Sequence, residues 1–481
     1  MLAPTMRVLL VKPKASLAIV RGLERFQRLE PLELGYLAAA LPPHHQVRVL
    51  DLRLTRRPRR AFLAALATFR PDLVGFTGYT HERAAVKALA REVRRSLPRT
   101  LVVVGGHHAT VAPADYNVPE IDVVVRGEGC GPFRSVVAAW EGGELPLGIP
   151  NALLTGEHWD AAAAAAWPRF PDPATIPTPR RDLWDPRRYT CVWVSENPAP
   201  WQELFPPVAM VRTSYGCRMQ CSFCVVPFLC GGEHRPRPVE AVADEIAALP
   251  QRHVYFADDE NFIDETFAAA LADALAARGV RKRYFAWTRA TTVLRSPELL
   301  RRWAEIGLDG AFLGFEFSSD EELRAVRKGG SVATNERAHD QLRRVGVACH
   351  AAFMVRAEYT VEQFERLRRY LAAMPPAQCS FTVCTPSPGT PDWHAMEPHI
   401  WVDDPYRLYD CMHPLTPTAV PLREFGRRFA ALLATAAGKN PLRAERRPVR
   451  PWELGRVLLA EARFEAAFRR LHRDYPRELW G

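Results

Sequence analysis

The chain has 481 residues, 48% of them hydrophobic, which is more than one ordinary core needs and predicts two or three packed domains. Its formal charge of +10, from 64 Lys+Arg against 54 Asp+Glu, is spread over many stretches with no dense basic tail; it reads as solvated helix faces and excludes a dedicated nucleic-acid footprint. Ten scattered cysteines exclude a disulfide scaffold, and Lys12 and Lys14 interrupt the apolar run near the N-terminus, so a cytoplasmic protein with reduced thiols is expected.

Residues 6–140 alternate short β-branched runs ("MRVLLVKP", "HQVRVLDL", "DLVGFTGYT", "TLVVVGGHHAT", "IDVVVRGEG") with helical patterns such as "AFLAALATF" and "AAVKALAREVRRSL". That alternation predicts an α/β, doubly wound (Rossmann-like) domain over residues 1–150, a parallel sheet with helices on both faces. Ligands in such folds sit outside the carboxyl ends of the strands. Here those ends carry residues 12–14, 78–81, 105–110 and 127–129, with Gly105, Gly106, Gly127 and Gly129 allowing close backbone approach. The absence of GxGxxG argues against a dinucleotide.

Residues 151–205, with "PRFPDPATIPTPRRDLWDP" and "ENPAPWQELFPP", are dense in proline and predict a connecting segment. From 206 to 390 six apolar runs start near residues 208, 253, 283, 310, 348 and 379, separated by periodic helices. Six βα units predict a partial (β/α)6 barrel whose active loops follow the strand carboxyl ends. Residues 391–481 read as a mainly helical cap.

Directly after the first of those six strands stands "TSYGCRMQCSFCVVP", with Cys217, Cys221 and Cys224 at spacings of four and three. A structural zinc site needs four ligands, and no second CxxC pair follows. A redox pair of Cys221 and Cys224 leaves Cys217 without a role. Three thiolates suit three irons of a [4Fe-4S] cluster whose fourth iron stays open.

The CxxxCxxC spacing, with Phe223 before the last cysteine and six βα units around it, resembles the radical S-adenosylmethionine superfamily. The resemblance implies that the open iron binds the amino and carboxylate groups of S-adenosylmethionine and that electron transfer cleaves the sulfonium to a 5′-deoxyadenosyl radical. It further implies cofactor contacts from the acidic end Asp258, Asp259 and Glu260 after the second strand, from Arg289 after the third and from Glu316 after the fourth.

Likewise "EPLELGYLAAAL", "GGHHATVAPADY" and "IDVVVRGEGCGPF" resemble the cobalamin-binding domain that precedes the barrel in B12-dependent radical enzymes. By that resemblance Gly105, Gly106, Thr110, Gly127, Glu128 and Gly129 contact cobalamin. "VKPKASLAIVRG" lacks the DxHxxG that supplies a histidine to cobalt, so base-off cobalamin without that ligand is expected, with residues 79–81 as candidates for the lower face and His107 and His108 as loop hydrogen-bond formers. The implied reaction is methylation of an unactivated carbon, with a cobalamin-dependent radical cyclisation or rearrangement as the alternative.

"AAFMVRAEYTVEQFERLRRYL" and "HPLTPTAVPL" resemble the hopanoid C-3 methylases, which implies a hopanoid substrate. The implied partners are a small-molecule substrate, an electron donor such as flavodoxin or ferredoxin, and peripheral contact with a membrane, without nucleic acid.

Overall fold

Five β-branched runs of three to six residues, too short for buried helices, pair in parallel and are flanked by amphipathic helices. The computed structural model describes residues 5–196 and 203–480; residues 197–202 of the expected linker, residues 1–4 and Gly481 lie outside the described residues. The chain forms two compact units. Among the described residues no helix is long and apolar enough to cross a membrane.

The first unit holds strands β1 (Arg7–Lys12), β2 (Gln46–Asp51), β3 (Leu73–Thr77), β4 (Leu101–Gly105), β5 (Val123–Val125) and β6 (Ala152–Leu154) in the order β2-β1-β3-β4-β5-β6. All pairs are parallel except β6 on β5. Alternate residues bury on opposite faces, with Leu9 and Val11 joining Phe62, Leu66 and Val93 while Val8 and Leu10 join Leu34, Phe133 and Val136. The chain leaves β1 to one side for β2 and returns on the other side as β3, so the topological switch point lies between β1 and β3. Helices α1 (Leu32–Ala40), α2 (Pro58–Phe69), α3 (Arg83–Ser96) and α4 (Cys130–Glu141) accompany the sheet.

The second unit is a six-stranded parallel sheet in sequential order, β7 (Val208–Val211), β8 (His253–Phe256), β9 (Arg283–Thr288), β10 (Leu308–Glu316), β11 (Ala348–Val355) and β12 (Gln378–Val383). Its edge strands β7 and β12 are not adjacent in the sheet order, so the barrel is open. The helices α5 (Val239–Ala248), α6 (Glu265–Ala277), α7 (Val332–Arg344) and α8 (Val361–Ala373) flank the sheet, and the last three begin at caps legible in the sequence. Asp264 caps α6 through Phe267 N at 3.0 Å, Ser331 caps α7 through Thr334 N at 3.1 Å, and Thr360 with Gln363 forms a capping box on α8.

Along β9, Tyr284 packs outward on Trp303, whereas Phe285 stacks on Tyr255 and Trp287 lies 3.8 Å from Phe312 between ring centroids, so aromatics line the inner face. The helices α9 (Leu422–Lys439) and α10 (Pro451–Arg469) close this unit, with Phe429 stacked on Phe468 at 4.2 Å. Residues Ala18–Glu30 belong to the same unit, because Gly22 abuts Phe464 and Gln27 and Arg28 pair with Cys191 and Thr190.

Candidate active site

The cysteine segment begins where β7 stops. Its entry is held by Asp258, whose Oδ1 accepts Thr213 N at 2.6 Å and Ser214 N at 3.1 Å, and whose Oδ2 accepts Asn261 Nδ2 at 2.5 Å and the Thr213 hydroxyl. Burial pushes this carboxyl up to about 6, with Thr213 and Ser214 pulling the other way. Asp259 Oδ2 then accepts Gly216 N at 2.9 Å, which fixes the turn at Gly216, φ +84°. On the return, Arg235 and Pro236 pair with Tyr215 and Ser214, and Arg237 forms an ion pair with Glu245 at 2.9 Å in which both side chains are buried. The loop base is thus tied down by these polar contacts, and between Cys224 and Arg235 the loop holds one short helix, Val226–Leu229.

Cys221 is buried and Cys217 and Cys224 are half-buried, all three as free thiols. Burial raises the Cys217 and Cys224 thiols, Cys224 to about 12, and the three sulfurs are close enough that Cys221 raises Cys217 further and both neighbours raise Cys224. A thiolate set of this kind wants a cation to compensate its charge. Arg289, after β9, approaches Cys221 Sγ with Nη1 at 3.4 Å and donates Nη2 to Lys328 O.

Glu260 is buried; its Oε1 accepts the Thr288 hydroxyl at 2.7 Å, its Oε2 has no hydrogen-bond partner, and burial pushes the carboxyl up to about 7. A buried acceptor without a donor is costly and is a natural place for an ammonium group. Glu316 ends β10 at φ +61°, a conformation that L residues adopt rarely, beside a register shift in the β10–β11 pairing, and binds Lys328 Nζ at 2.6 Å. Lys328 was not singled out from the sequence; the glycine pair after it, Gly329 and Gly330, both at positive φ, is the signal that marks its loop as special. The donor set of three soft thiols, a buried guanidinium and an unsatisfied buried carboxylate oxygen fits an iron-sulfur cluster with an amino-acid ligand.

In the first unit the strand ends at the switch point carry a second constellation. Lys12, at the end of β1, is buried and bonds Glu33 at 3.0 Å and Glu82 at 3.8 Å, with its ammonium 4.8 Å from the Tyr79 ring centre. Tyr79 itself is 53% exposed, stacked with His81 and tilted on His107. His107 is kept neutral, its imidazole lowered to about 4 by burial and by His108 and His81. His108 is fully buried between Thr80 and Asp115 and is a hydrogen-bond former.

Thr110 ties two of the glycine turns together, donating to Gly106 O at 2.8 Å and accepting Gly127 N at 2.9 Å. Gly106, φ +93°, has no room for a side chain, since a Cβ would lie 2.7 Å from Thr77 Oγ1. Gly105, Gly106, Thr110 and Gly127 therefore share one rim. Glu128 instead turns its carboxylate back to Cys130 N at 3.0 Å at the start of α4, and a Cβ on Gly129 would meet Leu37 of α1 at 3.1 Å. An exposed aromatic at the switch point, beside the glycine-lined ends of β4 and β5, fits a large flat cofactor.

Among the described residues, ligand atoms of three histidines, cysteines or acids converge to single-ion distance only at His44, His45 and Glu141. There His45 Nδ1 accepts Met6 N at 3.4 Å, which leaves the proton on Nε2, the nitrogen turned to Glu141, and counts against a metal.

The family model described as B12 binding domain matches residues 19–137, and that of the radical SAM superfamily matches residues 211–371. The hopanoid C-3 methylase of Methylococcus capsulatus is 30% identical over 407 residues, which span 83% of this chain and 75% of that protein. Two solved structures share the fold. The radical S-adenosylmethionine methyltransferase TsrM from Kitasatospora setae, solved with cobalamin and a [4Fe-4S] cluster, has a TM-score of 0.66 at 18% identity and covers 96% of this chain and 100% of its own. The cobalamin-dependent radical enzyme OxsB has a TM-score of 0.67 at 16% identity, covering 98% and 72%. A thiol site on an open barrel, glycine-lined strand ends on a doubly wound sheet and a relative matching across both identify the chain as a member of the cobalamin-dependent radical S-adenosylmethionine methyltransferase family, whose cofactors are a [4Fe-4S] cluster, S-adenosylmethionine and cobalamin.

Proposed function

We propose that the chain methylates an unactivated ring carbon of a polycyclic triterpenoid, C-3 of a hopanoid, with peripheral membrane contact and electrons from a small carrier such as flavodoxin or ferredoxin. The observation that carries this reading is the 30% identity to a hopanoid C-3 methylase over 83% of the chain. When bound, the cluster and S-adenosylmethionine supply hydrogen-atom abstraction and cobalamin supplies the methyl group.

In this reading Cys217, Cys221 and Cys224 each hold one iron, and Arg289, 3.4 Å from Cys221 Sγ, offsets thiolate charge. Glu260 Oε2, an acceptor without a donor, receives the ammonium of the methionine moiety, while Asp259 holds the Gly216 turn beside it. Glu316 and Lys328, already paired at 2.6 Å, offer an acceptor and a donor for polar groups of the same ligand. On the first unit Gly105, Gly106, Thr110 and Gly127 form the rim for the corrin, and Glu128 and Gly129 shape it indirectly through the start of α4. Residues 79–81, with Tyr79 exposed, would be the side chains available to the lower face of the ring.

The test is anaerobic reconstitution with iron, sulfide and hydroxocobalamin, followed by S-adenosylmethionine, reductant and a hopanoid, with mass spectrometry of nucleosides and lipid. The expected result is 5′-deoxyadenosine, S-adenosylhomocysteine and a hopanoid heavier by one CH2. Deoxyadenosine without S-adenosylhomocysteine, or a lipid of unchanged mass, refutes the methylation of a hopanoid.

A further inference from the structure

Helix α10 divides by exposure. Glu453, Val457, Ala460, Phe464 and Phe468, spaced as one helical stripe, are buried, and Phe464 and Phe468 meet Gly22 and Phe429. A flanking exposed stripe, at spacings of four, three and four, reads Trp452, Arg456, Leu459 and Arg463, while Leu458 stands about 100° round from Leu459, towards Glu461 and Glu465. Trp452 is 69% exposed, Leu459 51% and Leu458 41%. These are among the most exposed large apolar side chains described, and three stand on one helix.

The charges on this face have one sign. The Trp452 stripe carries Arg456, whose guanidinium stacks on the Phe205 ring at 3.8 Å, then Arg463 and, past the helix end, Arg470, and no carboxylate. The acids of the helix are buried or half-buried: Glu461 is paired with Arg443, and Glu465 with Arg469 at 2.5 Å. Arg450 at the helix start has its guanidinium 5.7 Å from the Trp452 ring.

We propose that the outer face of α10 docks the enzyme on an anionic lipid bilayer. An interfacial helix combines large apolar side chains that enter the acyl boundary with arginines that meet lipid phosphates, and this face presents both. A second copy of the chain is a poor occupant, because a two-fold contact sets this carboxylate-free stripe against itself and leaves Arg463 and Arg470 without counter-charges. The proposal deepens the lipid-substrate reading, since a polycyclic hydrocarbon partitions into the bilayer that this face would contact.

The experiment uses the full reconstituted chain with vesicles of phosphatidylcholine and phosphatidylglycerol at 3:1, or phosphatidylcholine alone, free of hopanoid, in a co-sedimentation assay. Binding to the anionic vesicles that weakens with salt is expected. Trp452→Ser with Leu459→Ser is expected to weaken it by about tenfold or more, and Arg463→Glu with Arg470→Glu to remove the preference for anionic lipid, at unchanged iron and cobalamin content. Failure of the wild type to bind anionic vesicles, equal binding by the Trp452 and Leu459 variant, or a dimer broken by those substitutions in place of vesicle binding overturns the proposal. Because no hopanoid is present, these outcomes are independent of whether a hopanoid is the substrate.

Discussion

Replacing Asp258 tests whether the cysteine loop is held at its base by one carboxylate. Four donors converge on it, from Thr213 N, the Thr213 hydroxyl, Ser214 N and Asn261 Nδ2, and Thr213, Ser214 and Asn261 are all buried. Asp258→Ala orphans the two backbone N–H groups and the Asn261 amide, at about 1–3 kcal/mol each, or roughly 3–9 kcal/mol together. Against this, the carboxyl raised to about 6 marks a burial cost on the order of 3 kcal/mol that the substitution also removes. A net loss of roughly 0–6 kcal/mol follows, centred on about 3 kcal/mol.

Asp258→Asn should be far milder. Its carbonyl oxygen still accepts both backbone N–H groups, and the Thr213 hydroxyl can turn to accept. Only Asn261 Nδ2 then faces a second donor, and it cannot flip because its own oxygen accepts Trp287 N at 2.8 Å. That leaves a cost of about 1–2 kcal/mol. Urea unfolding of the apo protein under reducing conditions, with iron per chain after reconstitution, measures both effects. Asp258→Ala at least as stable as wild type and as Asp258→Asn, with a full complement of iron, would refute the reasoning.

Cys221→Ala should abolish iron loading and S-adenosylmethionine cleavage while cobalamin binding persists, because the rim proposed for the corrin and the thiols lie in different units; deoxyadenosine from this variant would refute the cluster assignment. Gly106→Ala forces a Cβ against Thr77 Oγ1 at φ +93°, so a loss of about 1–3 kcal/mol and reduced cobalamin occupancy by absorbance are expected, with normal iron.

His413 sits between Asp410 at 3.0 Å and Asp474 at 3.1 Å, against the Tyr475 ring; burial alone would lower its imidazole, but the two carboxylates outweigh burial and raise it from 6.5 to about 9. Its contribution is therefore full below pH 6.5 and lost as pH rises through about 9. The thermal midpoint of wild type should fall over that interval relative to His413→Gln, and parallel pH profiles would contradict the assignment.

Much of the architecture was legible because it is local. Alternating runs and cap signals such as Asp264, Ser331 and Thr360 announce a doubly wound sheet and six βα units, and the CxxxCxxC spacing announces the thiol site. Sequence also placed Arg289 and Glu316 at strand ends, since a barrel puts its chemistry there. Partners distant in the chain were a different matter. Nothing in "FADDENF" divides the labour among three acids, yet packing gives Asp258 to Thr213 and Ser214, Asp259 to Gly216, and leaves Glu260 Oε2 open.

Lys328 likewise became a site residue only through its bond to Glu316, and Glu128 turned from a rim position into the partner of Cys130 N. The outer face of α10 was equally hidden, because "WELGRVLLAEARFEAAFRRLH" carries apolar residues all round and only burial against Gly22 and Phe429 shows which stripe is spent on the core. Sequence by itself determined the elements, their order and the thiol donors, since propensity, caps and motif spacing act within a few residues. Tertiary structure alone decided which buried acceptor lacks a donor and which face meets solvent, since both depend on groups brought together from distant parts of the chain.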